Sequence, residues 1–261
     1  MNKRLLLIAG PCVLEDKKTC WTIAKQCIEI CNRLEIDYVF KASYRKANRT
    51  SIQAFSGIEQ EKALETLAEI KAEFGIPVLT DIHESAEAKL AAKYVDILQI
   101  PAFLCRQTSL LIAAGETGKI VNIKKGQFLS GESMAFAAEK VASTGNTNIW
   151  MTERGTTFGY NDLVVDFRNI PTMKSIGYPV IIDATHSVQR PNQTSGETGG
   201  DPGMISTIAK CGITAGSDGV FMEVHPDPPS AKSDRGSMLK LEELDSVLTE
   251  LSSLWQAINK K

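Results

Sequence analysis

The sequence predicts a single α/β domain, a (β/α)8 TIM barrel spanning residues 1–261, and three observations carry that prediction. Short runs rich in β-branched and other apolar residues alternate with amphipathic helical stretches along the whole chain. Eight such runs fall within 261 residues, which is the size and rhythm of a closed parallel barrel. Nearly every run ends in a titratable or strongly hydrogen-bonding residue, and a barrel gathers such ends at one mouth.

The elements follow in order. The first run, LLLIA (5–9), stops at Gly10-Pro11 and is too short for the apolar core of a signal peptide. The helical stretch behind it sets Cys20, Cys27 and Cys31 at the spacing of one buried face, where cysteine acts as a small apolar residue. YVFKA (38–42) is the second strand, followed by the amphipathic IEQEKALETLAEIKAEFG. PVLTDI (77–82) leads into AEAKLAAKY, and DILQI (96–100) and IVNIK (120–124) read as buried strands. SMAFAAEKVAST is helical, and NIWMTE (148–153), PVIIDAT (179–185) and GVFMEV (219–224) complete the set of strands. LEELDSVLTELSSLWQAINKK closes the chain as a helix. The strand interiors are almost purely apolar, so a polar pocket capping a dry core is expected. A doubly wound open sheet would carry a glycine-rich phosphate turn after its first strand, and IAGPCVLED is not GxGxxG. Two weakly patterned segments, SVQRPNQTSGETGGDPGM (187–204) and HPDPPSAKSDRGSM, are expected as loops, the first as a lid or disordered tip.

The composition is that of an ordinary globular protein, 43% hydrophobic and 23% charged. A formal net charge of -2, with no extended basic face, excludes a general nucleic-acid footprint. No stretch approaches the roughly 18 apolar residues of a membrane span. Six cysteines in a chain of this size need no disulfide staples, so a reduced, cytoplasmic protein is expected.

The strand ends bear the chemistry. In order they offer Cys12, Lys41 and Lys46, Asp81 and His83, Gln99, Lys124, Arg154, Asp183 and His186, then Glu223 and His225. Cations dominate the first six ends: Lys41, Lys46, Arg49, Arg106, Lys124, Lys125 and Arg154. In a slightly acidic protein, that concentration implies polyanionic ligands, most simply phosphates and a carboxylate. Cys12, His186 and Glu223 end strands that are neighbours in a closed barrel, and Asp234 lies in the loop after the last one. One thiolate, one imidazole and two carboxylates suit a borderline divalent cation such as Zn2+, Fe2+ or Mn2+. Plainer roles stay open: a packed thiol at Cys12, a hydrogen-bonding histidine at His186, or a Cys12–His186 nucleophilic pair. Lys124 could also form a Schiff base, although phosphate binding is the more economical use. The roles of His83 and His225 are open.

Taken together, IAGPCVLE, FKASYRKANRTS, TDIHE, LQIPAFLCRQT, NIKKGQF, TERGTTFGYNDLVVDFR, DATHSVQ and DGVFMEVHPDP resemble the 3-deoxy-D-manno-octulosonate 8-phosphate synthase family. The likeness runs in order from about Leu6 to the last helix. The related heptulosonate 7-phosphate synthases share the Gly-Pro-Cys opening but typically read Lys-Pro-Arg-Thr where this chain has Lys46-Ala47-Asn48-Arg49. Sialic acid synthases carry a further C-terminal domain for which this chain has no room.

The resemblance implies a homotetrameric barrel that condenses phosphoenolpyruvate with D-arabinose 5-phosphate and water, in lipopolysaccharide precursor biosynthesis. It implies that Lys41, Lys46, Lys124 and Arg154 hold phosphoenolpyruvate. Asn48, Arg49 and Thr50 would line the pentose phosphate, with Gln99 in the substrate-binding set. Arg106 would reach the sugar phosphate from a neighbouring subunit. Lys46, Asn48, Lys124 and His186 are the expected catalytic residues. Metal-dependent members have cysteine at the position of Cys12 and metal-independent ones asparagine, so Cys12, His186, Glu223 and Asp234 are expected to bind a divalent ion. This chain departs from the family in three places. Arg45 stands where Asp often precedes the lysine. Ser195-Gly196-Glu197-Thr198-Gly199-Gly200-Asp201-Pro202 lacks the usual loop arginine. Asp234 is followed by the variable Arg235-Gly236-Ser237.

Overall fold

The computed structural model describes residues 4–47, 55–193 and 198–259. Eight parallel strands pair in chain order: β1 (Leu6–Gly10), β2 (Asp37–Lys41), β3 (Val78–Asp81), β4 (Ile97–Ile100), β5 (Ile120–Lys124), β6 (Ile149–Glu153), β7 (Val180–Asp183) and β8 (Gly219–His225). β8 returns to β1, with Leu6 opposite Gly219 and Gly10 opposite Glu223, so the sheet closes on itself. Between the strands run α1 (Lys17–Leu34), α2 (Gln60–Phe74), α3 (Ser85–Ala91), α4 (Thr108–Gly115), α5 (Met134–Ala142), α6 (Asn169–Lys174) and α7 (Ile205–Thr214), and α8 (Leu244–Asn259) ends the chain. This is the predicted (β/α)8 barrel, and every predicted strand is found within a few residues of its expected ends. No described helix is long and apolar enough to cross a membrane.

Side chains alternate across each strand, and that period sorts the core into two layers. Leu7, Phe40, Leu98, Val121, Met151, Ile182 and Met222 face outwards into the helix layer. The buried face of α1, which includes Cys20, Cys27 and Cys31 as its spacing predicts, belongs to the same layer. Ile8, Val39, Leu79, Ile97, Ile181 and Phe221 form a separate cluster inside the ring. That interior is not purely apolar as expected. Gln99 Nε2 donates to Asn122 Oδ1 at 2.6 Å, and Asn122 Nδ2 donates to Thr152 Oγ1 at 2.8 Å, so a buried polar chain links β4, β5 and β6. Each group meets its partner on the next strand, which is what makes burial of these amides tolerable.

Local chemistry sets the ends. Asp16 caps α1, accepting from the Thr19 N–H at 2.8 Å, and Glu35 closes the helix in the left-handed region at φ 55. Gly10 is required by close packing, because a Cβ there would lie 1.9 Å from the Lys41 carbonyl oxygen. Beyond Gly10 the two chain segments stay zipped, with Ser43 N–H to Cys12 O at 3.1 Å and Leu14 N–H to Ser43 O at 3.0 Å. Cys12 is thereby fixed at the barrel mouth. The segment after β7 carries more order than expected. A 3-10 turn (His186–Val188) leads into Gln189–Arg190, which pairs antiparallel with Gly199–Gly200.

Candidate active site

The strand ends surround a cavity of about 610 Å³ at the C-terminal mouth of the barrel. Lys124, the last residue of β5, donates from Nζ to Asp183 Oδ2 at 2.7 Å and lies 4.0 Å above the Phe221 ring. Burial lowers the proton affinity of Lys124 and outweighs the Asp183 charge beside it. Burial alone would raise the Asp183 carboxyl, but His186 and Lys124 hold it well below the usual carboxylate range. Asp183 Oδ1 also accepts from the His186 N–H at 2.8 Å and the Thr185 N–H at 3.1 Å, so the carboxylate cannot turn.

Arg154 is buried and donates from Nη2 to Gln189 Oε1 at 3.0 Å. Its Nη1 has no hydrogen-bond partner among the described residues. A buried guanidinium with a spare donor facing a cavity is a receptor for an anion. Lys41 reaches Cys12 O and Ser43 Oγ, each at 3.1 Å, and Glu223 Oε1 at 3.4 Å. Lys46 Nζ stands 4.0 Å from Asp234 Oδ2. Burial would lower the proton affinity of Lys46, but its acidic neighbours, Cys12, Glu223, Asp81 and Asp234, raise it instead.

Ligand atoms of Cys12, Glu223 and Asp234 lie within 4.8 Å of one another. Cys12 Sγ is 2.8 Å from Asp234 Oδ2 and 3.0 Å from Ser233 Oγ. Glu223 is wholly buried, and its Oε2 has no partner among the described residues. Burial, then the Asp234 and Glu223 charges, push the Cys12 thiol well up. Two carboxylates and a thiol packed this closely make a poor site for anything but a cation. His186 stands at its edge, with Nε2 3.6 Å from Glu223 Oε1. Its Nδ1 lies 2.8 Å from Asp183 Oδ2, the carboxylate–imidazole arrangement that orients a metal-binding histidine through its other nitrogen. The predicted set therefore fits a divalent ion.

Other predicted residues fare differently. Asn48, Arg49 and Thr50 lie outside the described residues. Gln99 borders the cavity while bonded to Asn122. Arg106 is exposed and lines a separate, smaller cleft with Phe136 and Lys140, away from the cavity of its own chain. Lys125, grouped with the mouth cations on sequence, is wholly buried and pairs with Glu153 outside the cavity. The physical reason is the pleat, which turns neighbours at a strand end to opposite sides. Arg45 pairs with Glu84 and Glu87, so its charge is matched locally.

His83 borders the cavity with Nε2 3.3 Å from Asp81 Oδ2. Burial would lower its pKa, but Asp81 and Glu87 raise it to about 9. His225 accepts from the Asp227 N–H at Nδ1, 3.0 Å away, and so holds the turn after β8. Sequence reasoning missed Gln189, which joins Arg154 to Asp234 by donating from Nε2 to Oδ1 at 3.2 Å. It also missed Gln127, which borders the cavity with an Oε1 that lacks a partner among the described residues. Gln127 sits in a loop and Gln189 in a two-residue strand, and neither segment is long enough for periodicity to mark it.

Residues 1–259 match the sequence pattern of the DAHP synthetase I family. Among curated relatives, the 2-dehydro-3-deoxyphosphooctonate aldolase of Cyanothece sp. is 49% identical, over 97% of this chain and 92% of its own. Those of Granulibacter bethesdensis and Trichlorobacter lovleyi are 52% and 50% identical, over 94% and 97% of this chain and 87% and 93% of theirs.

Proposed function

Because the chain belongs to the DAHP synthetase I family, we propose that it condenses phosphoenolpyruvate with D-arabinose 5-phosphate and water. The products are 3-deoxy-D-manno-octulosonate 8-phosphate and inorganic phosphate, on the route to lipopolysaccharide. One observation carries this reading: Lys41, Lys46, Lys124 and Arg154 converge on one cavity, and Arg154 keeps a buried donor without a hydrogen-bond partner among the described residues. Phosphoenolpyruvate, with a carboxylate and a phosphate on one small rigid frame, matches that set.

In this reading Lys124 and Arg154 hold the phosphate, while Lys41 and Lys46 hold the carboxylate end. Holding both reactants converts an encounter into an oriented reaction. C3 of the enol attacks the aldehyde and positive charge develops at C2. Water adds there, and the hemiketal phosphate releases phosphate by C–O cleavage. Asp183 keeps Lys124 and His186 fixed through these steps, and Lys46 is a catalytic residue in this reading, as is Asn48, which lies outside the described residues. A divalent ion held by Cys12, His186, Glu223 and Asp234, whether Zn2+, Fe2+ or Mn2+, would polarise the aldehyde or acidify a water.

The working form is a homotetramer in the cytoplasm, with Arg106 completing the pentose phosphate site of a neighbouring subunit. In support, Arg106 is exposed and lines, with the exposed Phe136, a cleft separate from the cavity of its own chain. Six free cysteines suit a reducing compartment.

A heptulosonate synthase using erythrose 4-phosphate is the second reading within the family, and Lys46-Ala47-Asn48-Arg49 disfavours it. Phosphate release from phosphoenolpyruvate, measured with each aldose before and after exhaustive chelation, separates the readings. Absence of turnover with arabinose 5-phosphate overturns the main one.

A further inference from the structure

We infer that Lys125 and Glu153 are positioning residues for the phosphoenolpyruvate clamp, a buried ion pair outside the barrel that sets where Lys124 and Arg154 stand. The inference rests on the reading of those two cations given above. Each member of the pair is the chain neighbour of a clamp residue, and both side chains are 0% exposed. The pleat sends Lys124 and Arg154 into the cavity and their neighbours to the far side, where Lys125 Nζ lies 3.5 Å from Glu153 Oε1.

The bonds around this pair converge from two loops. The three N–H donors of the Lys125 ammonium are shared among Leu129 O and Thr156 Oγ1 at 3.1 Å each, Gly126 O at 3.3 Å and Gly155 O at 3.4 Å. Glu153 Oε1 accepts from the Gly155 N–H at 2.7 Å and from the N–H of Arg154 itself at 2.9 Å. Thr157 N–H to Gln127 O, at 3.1 Å, ties the same two loops again. The loop that follows each clamp cation is thus fastened to one ammonium, and the Arg154–Gly155 backbone also to one carboxylate.

Stability alone does not account for this arrangement. A well-packed apolar pair of similar volume is usually at least as stabilising as a buried ion pair, because desolvating two charges is expensive. What an apolar pair cannot supply is a set of directed bonds onto chosen carbonyls and N–H groups. Those bonds fix the two places where a shift of about 1 Å would cost about 100-fold in rate. Lys124 cannot share the task, since its ammonium is held by Asp183 on the cavity side.

The test uses the full-length protein with Lys125→Met, Glu153→Gln and the double variant, against wild type. Steady-state kinetics give a KM for each substrate, and hydrogen exchange reports on amides 126–129 and 154–157. The expected result for Lys125→Met is a rise of about 10- to 100-fold in the KM for phosphoenolpyruvate, with the KM for arabinose 5-phosphate changed less than about 2-fold. Exchange should quicken in the two loops and nowhere else. Should Lys125→Met fold poorly through the carboxylate it strands, the double variant removes both charges and should show the same substrate-selective loss. A folded variant with wild-type phosphoenolpyruvate kinetics overturns the inference, as do equal losses for both substrates with exchange raised throughout. Wild type inactive on both substrates overturns the proposed function and takes this inference with it.

Discussion

Lys124 and Asp183 form an ion pair of 2.7 Å at the barrel mouth, and the carboxylate has no freedom to leave it. Removing the ammonium should therefore be felt twice. Lys124→Met withdraws a cation from the cavity and leaves the buried Asp183 carboxylate without the ammonium that it pairs with. We expect kcat/KM for phosphoenolpyruvate to fall by about 100-fold or more. Stability should fall by roughly 3–5 kcal/mol, the usual result of stranding one member of a buried pair. Kinetics and urea denaturation of the same preparation check both parts.

The His83 network predicts a pH window. The His83 pKa rises from its ordinary 6.5 to about 9 on folding, so the stability it contributes is complete below 6.5 and is lost as pH climbs through about 9. Glu87 behaves oppositely. Burial would raise it, but His83, Tyr44 and Arg45 bring it from 4.5 down to about 2, so its contribution is complete above 4.5 and lost as pH falls towards 2. Both contributions are whole between 4.5 and 6.5. The stability difference between wild type and His83→Gln should be greatest there and shrink from pH 6.5 to 9. Denaturant midpoints across that range measure it, and a difference that grows with pH would refute the assignment.

The raised Cys12 thiol predicts that metal binding expels a proton. Cys12 is protonated in the ion-free protein near neutral pH, because burial and the Asp234 and Glu223 charges disfavour its thiolate. A divalent ion binds the thiolate, so about one proton per ion should appear in solution at pH 7. Titration with Zn2+ in two buffers of different ionisation enthalpy counts it. Cys12→Asn, which has no thiol to ionise, should bind Zn2+ far more weakly and without this release.

Much of this site was legible before any coordinates. Strand 8 lies between strands 7 and 1 once a barrel closes, and that topology brings the ends that carry Cys12, His186 and Glu223 together from distant parts of the chain, with Asp234 in the loop that follows strand 8. The separation of Lys124 from Lys125 was not legible, because the strand ends between them and only the observed pleat says which faces the cavity. Gln99, Asn122 and Thr152 are each flanked by apolar residues on the N-terminal side of their runs, so each looked isolated until the register set them side by side. Arg106 is a different case: its proposed role needs a second subunit.

Gln189 supplies the last prediction. It accepts from Arg154 Nη2 at 3.0 Å and donates to Asp234 Oδ1 at 3.2 Å, so one amide spans the anion-binding and metal-binding halves of the cavity. Both partners are ionic, and hydrogen bonds to charged groups are worth about 1.5–3 kcal/mol. Gln189→Ala leaves the Arg154 guanidinium with less to hold it in place, and Asp234 loses a donor. We expect about a 10- to 100-fold fall in kcat/KM for phosphoenolpyruvate, the kinetic equivalent of that energy. Gln189→Glu separates the two halves. It strengthens the contact to Arg154 but sets a carboxylate against Asp234, so it should preserve phosphoenolpyruvate binding better than Gln189→Ala while disturbing the metal cluster more. Binding isotherms for phosphoenolpyruvate and for Zn2+ on the two variants should rank in opposite orders, and an identical ranking would show that Gln189 does not connect the two sites.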